Sequence, residues 1–271
     1  MTLRVGLIGF GTIGRVVGEA IRDGQAGHCE LVGVLVRHPE RLAGVSAGFA
    51  GVAFTSQAEA FLAQRPALVV EAAGQPALKQ YTEQVLRAGA DLFVLAVGAF
   101  TDQSFFDRVV ALADQLGRRV ILGSGGIAGI DWISSAAVGR LDRVTYTQRK
   151  PPHAWRHTPA EQQHPNIEQV TEPLLIFEGV ARDSARLFPE NTNISALGGL
   201  AGIGLDRTTV KLYADPTIPA NVNEVTVEGE LGTLRFEVRN APSENPKTSR
   251  IIAPSVIKAL RHLSGPLWVG A

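Results

Sequence analysis

Gly9, Gly11 and Gly14 are the residues whose spacing most directly suggests chemistry. They form a G-x-G-x-x-G loop immediately after the apolar run Leu3-Arg4-Val5-Gly6-Leu7-Ile8. Glycine at the first position can take the backbone angles of a tight turn. At the second it leaves room for a pyrophosphate against the main chain, and at the third it lets a helix pack close to a strand. A helix opening at Thr12 and Ile13 would face those phosphates with free N–H groups and the positive end of its dipole. The motif alone is weak in a chain with 29 glycines. Its context is stronger: Ile13, Val16, Val17, Ala20 and Ile21 repeat at helical spacing, and Leu31–Val36 then reads as a second buried strand, completing a βαβ unit.

The residue ending that second strand commonly grips the adenosine ribose, and an acidic group there favours NAD. Here it is Arg37, followed by His38. A guanidinium suits a 2′-phosphate, so the sequence leans toward NADP or dual use of NADP and NAD, the alternative being an arginine solvated at a strand end.

Strand-like and helix-like segments continue to alternate through Ala67–Ala73, a helix near 76–88, Leu92–Ala96, a helix near 102–116 and Arg119–Leu122. Short apolar strands separated by amphipathic helices indicate a parallel sheet covered on both faces. The fold class expected is therefore α/β, a doubly wound Rossmann-type nucleotide-binding domain over 1–125. Ala73, Gly74, Gly98 and Ser124 fall in loops after these strands, where open α/β sheets bind ligands; the first three are expected on the nicotinamide half of the cofactor and Ser124 on the substrate, with a purely structural role in a tight turn as the alternative for each glycine. A helix near 126–140 is followed by period-two segments, among them 224–230 and 233–239 as a hairpin. These predict a second, α+β domain over 126–246 with a mixed or antiparallel sheet. A terminal helix, capped at Thr248 or Ser249 and lying within about 247–271, is expected to pack back on the first domain. The stretch Pro151–Pro173, with five prolines, three histidines and little periodicity, reads as a long loop, either a lid or a surface excursion.

The 271 residues include 26 basic and 26 acidic side chains with no long run of either sign, so neither nucleic acid nor an anionic membrane surface is an expected partner. A single cysteine, Cys29, forbids an internal disulfide and a cysteine-based zinc site. His153, His157 and His164 lack a helical ligand spacing, so no metal is expected. With no secretory signal pattern and no apolar stretch long enough to span a bilayer, a cytoplasmic location is expected.

Several strings in the second half are more specific: Lys150-Pro151-Pro152-His153-Ala154-Trp155, Phe188-Pro189-Glu190-Asn191-Thr192-Asn193, Ala214-Asp215-Pro216, Asn221-Val222-Asn223-Glu224-Val225 and Asn245-Pro246-Lys247-Thr248-Ser249. With Gly9–Gly14 and the Ser124–Gly129 segment, they resemble the L-aspartate dehydrogenase family along essentially the whole chain. The resemblance implies oxidative deamination of L-aspartate. Hydride leaves the α-carbon for the nicotinamide, and the iminosuccinate formed is hydrolysed to oxaloacetate and ammonia. The reverse amination and a link to NAD biosynthesis are implied as well. The resemblance further implies that Gly126 or Ile127 and Asn193 touch the cofactor, and that the second-domain sheet makes a subunit contact, hence a homodimer. Asn193 could equally cap a helix.

One position departs from the family pattern. The string 221–225 carries the family's catalytic histidine at the place held here by Asn223. A group titrating near neutrality can take a proton or activate water, whereas an amide hydrogen-bonds without exchanging a proton. A dicarboxylate amino acid needs cations and N–H donors at both ends. Lys150 and Lys247 are the best candidates, each with a solvated surface role as the alternative, and Lys150 is next in line for proton transfer. Arg149 would point to the opposite face of its strand. The leading expectation is an NAD(P)-dependent L-aspartate dehydrogenase impaired at position 223. An imine reductase and a non-catalytic dinucleotide-binding homologue stay open.

Overall fold

Runs rich in valine, leucine and isoleucine become β1 (Leu3–Ile8), β2 (Cys29–Leu35), β4 (Leu68–Glu71), β5 (Asp91–Val94) and β6 (Val120–Leu122) of the first unit, and a short strand without such a run, β3 (Ala53–Thr55), lies at the sheet edge beside β2. The structure, a computed structural model, describes residues 2–188, 193–241 and 249–270. Among these residues the six strands pair in parallel in the order β3-β2-β1-β4-β5-β6. The order reverses at β1, so a crevice opens beyond its carboxyl end, between the turns that leave β1, β2 and β4. Helices Thr12–Arg22, Gln75–Arg87 and Gln103–Gln115 supply amphipathic cover. The last of these is capped by Asp102, whose carboxylate accepts from the Phe105 N–H at 3.1 Å.

By its internal contacts the chain divides into a unit of Met1–Gly125 with Ala253–Ala271 and a unit of Gly126–Ile252. The helix Ile252–Ser264 belongs with the first, where Ala253, Val256 and Leu260 join a core containing Val5, Leu7, Val17, Val34 and Phe93.

The second unit holds β7 (Leu141–Lys150), β8 (Leu174–Val180), β9 (Thr209–Ala214), β10 (Val222–Gly229) and β11 (Gly232–Arg239). Their order is β11-β10-β7-β9-β8, with β7 and β9 parallel and the other pairs antiparallel, so the sheet is mixed. Strand alternation gives this sheet two different faces. Val144, Tyr146, Gln148 and Lys150 on β7, Val210 and Leu212 on β9, and Asn223, Val225 and Val227 on β10 are buried. Helices Ala181–Leu187 and Asn193–Ala201 pack against strands of this sheet. The opposite face presents Thr145, Thr147, Arg149, Lys211, Tyr213, Glu224 and Thr226, all partly exposed.

Two expectations are corrected here. The helix read near 126–140 spans only Ile130–Ala136, because Gly125 and Gly129 take left-handed angles (φ +57° and +69°) that interrupt any helix running through them. The stretch 151–173 is folded rather than a loose loop. Short turns of helix at Pro152–Trp155, Pro159–Gln163 and Ile167–Gln169 are pinned by Trp155, which is fully buried, meets Phe188 edge-on and donates its indole N–H to the Tyr213 carbonyl at 3.2 Å. Turns this short leave no period for a sequence to display.

Candidate functional site

The crevice beyond β1 is a cleft of about 790 Å³ lined by Gly9, Phe10 and Gly11, by Arg37, His38 and Arg41 after β2, and by Ala73, Gln80 and Tyr81 among others. The three glycines of its turn differ in what surrounds them. Gly9 has φ +95°, and a Cβ there would lie 2.7 Å from the Ala72 carbonyl oxygen; at Gly14 it would lie 2.3 Å from the Gly9 carbonyl oxygen. A Cβ at Gly11 would meet nothing within 4 Å. The helix Thr12–Arg22 starts at Gly11 with no side chain capping its first N–H groups. An open cradle in front of uncapped N–H donors fits an anionic phosphate bridge.

Of the residues singled out from sequence, Gly9, Gly11, Arg37 and Ala73 line this cleft. Thr12, Ile13 and Gly14 lie in the helix behind the turn; Gly74 precedes helix Gln75–Arg87, and Gly98 is buried in the helical turn Val97–Thr101 that follows β5. Arg41, four residues after Arg37, was not singled out. The basic spacing Arg37-His38-x-x-Arg41 past a strand end was its available signal.

Glu71, at the end of β4, was also missed. Its carboxylate is fully buried and accepts from the N–H groups of Ala73 (2.7 Å), Gly74 (2.6 Å) and Ala96 (3.0 Å), so one side chain ties together the turns leaving β4 and β5. Burial pushes this carboxyl above its ordinary value, against the pull of those N–H groups.

In the second unit, β7 and β10 bring two of the predicted residues onto one buried face. Asn223 pairs across the strands with Gln148, and Lys150 follows two residues further along that face of β7. The Tyr146 hydroxyl donates to Asn223 Oδ1 at 2.5 Å, and Gln148 Nε2 donates to the same oxygen at 3.0 Å. Lys150 is 1% exposed, with its ammonium 5.5 Å from the centre of the Trp155 ring. Burial holds the Tyr146 phenol well above its ordinary value, so at neutral pH it is a donor rather than a base. Arg149 does face the other way, bonded to Glu224 at 3.1 Å and stacked over Tyr213.

Gly126 and Ile127 meet the helix Asn193–Ala201: a Cβ on Gly126 would lie 3.3 Å from Ile194, and one on Gly198 would lie 3.8 Å from Ile127. The Gly126 carbonyl accepts from Asn240 Nδ2 at 3.0 Å. Asn193 is the first residue of its helix, Ser124 is half-buried at the end of the first unit, and Lys247 lies outside the described residues. No helix among the described residues is long and apolar enough to cross a membrane.

Comparison with known proteins separates the two units and then reunites them. Residues 9–123 match the model described as homoserine dehydrogenase, NAD binding domain, and residues 131–263 match aspartate dehydrogenase, C-terminal. The crystal structure of aspartate dehydrogenase from Thermotoga maritima superposes with a TM-score of 0.76 at 23% identity, covering 99% of this chain and 100% of that one. The WlbA dehydrogenase of Bordetella pertussis, solved with NADH, shares the fold at a TM-score of 0.54 and 18% identity, covering 99% and 90%. L-aspartate dehydrogenase of Cupriavidus taiwanensis is 41% identical over 95% of this chain and 96% of its own. That of Methanosarcina barkeri is 37% identical over 99% of each. Identity at this level runs through the mixed-sheet unit as well as the dinucleotide unit, so the chain as a whole belongs to the L-aspartate dehydrogenase family.

Proposed function

We propose that this chain is an NAD(P)-dependent dehydrogenase that oxidises L-aspartate to iminosuccinate, and thence oxaloacetate and ammonia, and catalyses the reverse, with proton transfer weakened at position 223. The observation that carries the reading is 41% identity to an L-aspartate dehydrogenase along 95% of the chain. It is supported by a dinucleotide-sized cleft at the glycine turn.

In this reading Gly9, Gly11 and Gly14, with the start of the helix at Thr12 and Ile13, receive the pyrophosphate. Arg37, joined by His38 and Arg41 in the same cleft, receives a 2′-phosphate, so NADP is accepted at least as well as NAD. Ala73, Gly74 and Gly98 belong to the nicotinamide side, held in place by Glu71. When bound, the nicotinamide accepts the hydride from the α-carbon. On the family resemblance Gly126 or Ile127 and Asn193 also serve the cofactor, and on the chemistry of the side chains themselves Ser124, Lys150 and Lys247 hold the dicarboxylate. Asn223 holds a hydrogen bond and moves no proton. The open, threonine-rich face of the mixed sheet serves a second copy of the chain, and a lone cysteine suits a reducing cytoplasm.

Steady-state oxidation of L-aspartate by the chain and by Asn223→His, each with NAD⁺ and NADP⁺, tests this. The expected result is slow turnover, raised by about 10²–10⁴ in kcat in the histidine variant with an apparent pKa near neutrality. Brisk turnover by the unaltered chain, or no gain from histidine, would move the proton transfer to another group, Lys150 first. A second reading, reduction of a preformed imine such as iminosuccinate, is favoured by the amide at 223, since that reaction needs no hydrolysis.

A further inference from the structure

The cluster around Asn223 contains two side-chain atoms that the fold does not satisfy. Asn223 Nδ2 and Gln148 Oε1 are buried and have no hydrogen-bond partner among the described residues. Their side chains belong to residues 1% and 2% exposed, facing each other across β10 and β7. Buried polar atoms left unpaired are costly and rare, and a pair of them on neighbouring strands asks for an explanation.

Turning the two amides over does not remove the problem. The 2.5 Å between Tyr146 Oη and Asn223 is short even for O–H···O and lies below the roughly 2.7 Å at which N–H···O begins, so the oxygen of Asn223 faces the hydroxyl. Gln148 must then present its nitrogen to that same oxygen, as it does at 3.0 Å. Tyr146 therefore sets both amides. What is left is one donor, on Asn223, and one acceptor, on Gln148. No carboxylate takes part in these bonds.

An α-amino dicarboxylate carries the complementary pair, N–H donors on its nitrogen and acceptors on its carboxylates. A dicarboxylate without the nitrogen offers acceptors only. We propose that Gln148 is a specificity residue whose Oε1 accepts a hydrogen bond from the substrate nitrogen, while Asn223 Nδ2 donates to a substrate carboxylate. The assignment rests on the aspartate reading above and adds to it how the amino group is told from its absence. It also gives Tyr146 a positioning role, orienting both amides without meeting the substrate.

The test is calorimetric titration of the NADPH-saturated chain, which cannot turn over, with L-aspartate and with succinate. The unaltered chain is expected to prefer aspartate. Gln148→Met should weaken aspartate binding by about 10–100-fold, the worth of a hydrogen bond to a charged group, and leave succinate nearly unchanged. Because both ligands meet the same folded protein, their ratio is insensitive to partial loss of stability. Gln148→Glu gives up the N–H bond to Asn223 Oδ1 but keeps an acceptor oxygen at the same reach, and its charge attracts an ammonium and repels a dicarboxylate, so it should keep or widen the preference for aspartate, and this variant decides the matter if the methionine variant does not fold. A Gln148→Met protein that still prefers aspartate as strongly as before, or a Gln148→Glu protein that has lost the preference, overturns the assignment of Gln148 and leaves the functional reading standing. Failure of the unaltered chain to bind aspartate overturns both.

Discussion

At the scale of single residues, Gly11 and Gly14 show how one motif contains two different requirements. A methyl group at Gly14 would lie 2.3 Å from a backbone oxygen, so Gly14→Ala should cost about 1–3 kcal/mol of stability, as overpacking does. A methyl at Gly11 would touch no protein atom, so Gly11→Ala should leave thermal stability almost unchanged and still weaken dinucleotide binding at least tenfold. Melting curves with and without NADP(H) separate the two, and a Gly11→Ala chain that binds cofactor normally would show that the space serves something else. Arg37 makes a similar kind of test. Arg37→Asp should lower NADP(H) affinity by about 10–100-fold, the loss of a charged hydrogen bond, and improve NAD(H). Fluorescence titration with both cofactors reads this, and an unmoved preference would pass the 2′-phosphate to Arg41.

At the scale of elements, chain ends decide more than chain middles. Glu71 finishes β4 and holds the next two turns; Asp102 begins the helix Gln103–Gln115 and holds Lys79 and Ser104 at 2.8 Å each. The Lys79 ammonium, the Ser104 hydroxyl and the Phe105 N–H keep the Asp102 carboxyl well below the usual carboxylate range. A carboxyl whose value falls on folding contributes stability above its unfolded value, about 3.9, and loses that contribution as the pH drops below it. Asparagine can still cap a helix, so Asp102→Asn isolates the charge. The variant should melt lower than the parent at pH 7, and the gap between them should close on acidification below about pH 4. A gap that stays constant with pH would mean that the charge contributes nothing. The elements themselves were largely legible: five of the six first-unit strands and the hairpin read at 224–230 and 233–239 follow from apolar runs and period-two alternation, while the three-residue β3 is too short to display either. The failures came where a left-handed glycine cut a helix at 129 and where Trp155 pinned turns too short to show a period.

At the scale of the whole molecule, the mixed sheet leaves one face of threonines and ion pairs partly open, including Arg149 with Glu224 and Lys211 with Glu178. If that face meets its copy, sedimentation velocity at low micromolar concentration should show a dimer and no species near 28.8 kDa. Thr145→Glu together with Thr226→Glu, which puts like charges at positions that pair across β7 and β10, should release monomer. A monomer in the unaltered chain would show that the face is simply solvated.

The sequence by itself determined the parallel sheet, the glycine turn that follows β1, the arginine just past β2 and the family, because each is written in local spacing or in strings of adjacent residues. It also marked Asn223 as a departure from the family pattern. Only the tertiary structure decided what surrounds that residue. Tyr146 and Gln148 stand about 75 positions away from it, and nothing in either local pattern says that β7 will pair with β10 in the register that sets Gln148 opposite Asn223. Glu71 escaped for the same reason, and Arg41, although its basic spacing after Arg37 and His38 is local, gains its meaning only from the cleft. A buried carboxylate is explained by the N–H groups of a neighbouring strand's turn, and an arginine in a loop by the cleft it borders. Both are properties of space, which periodicity along one chain does not record.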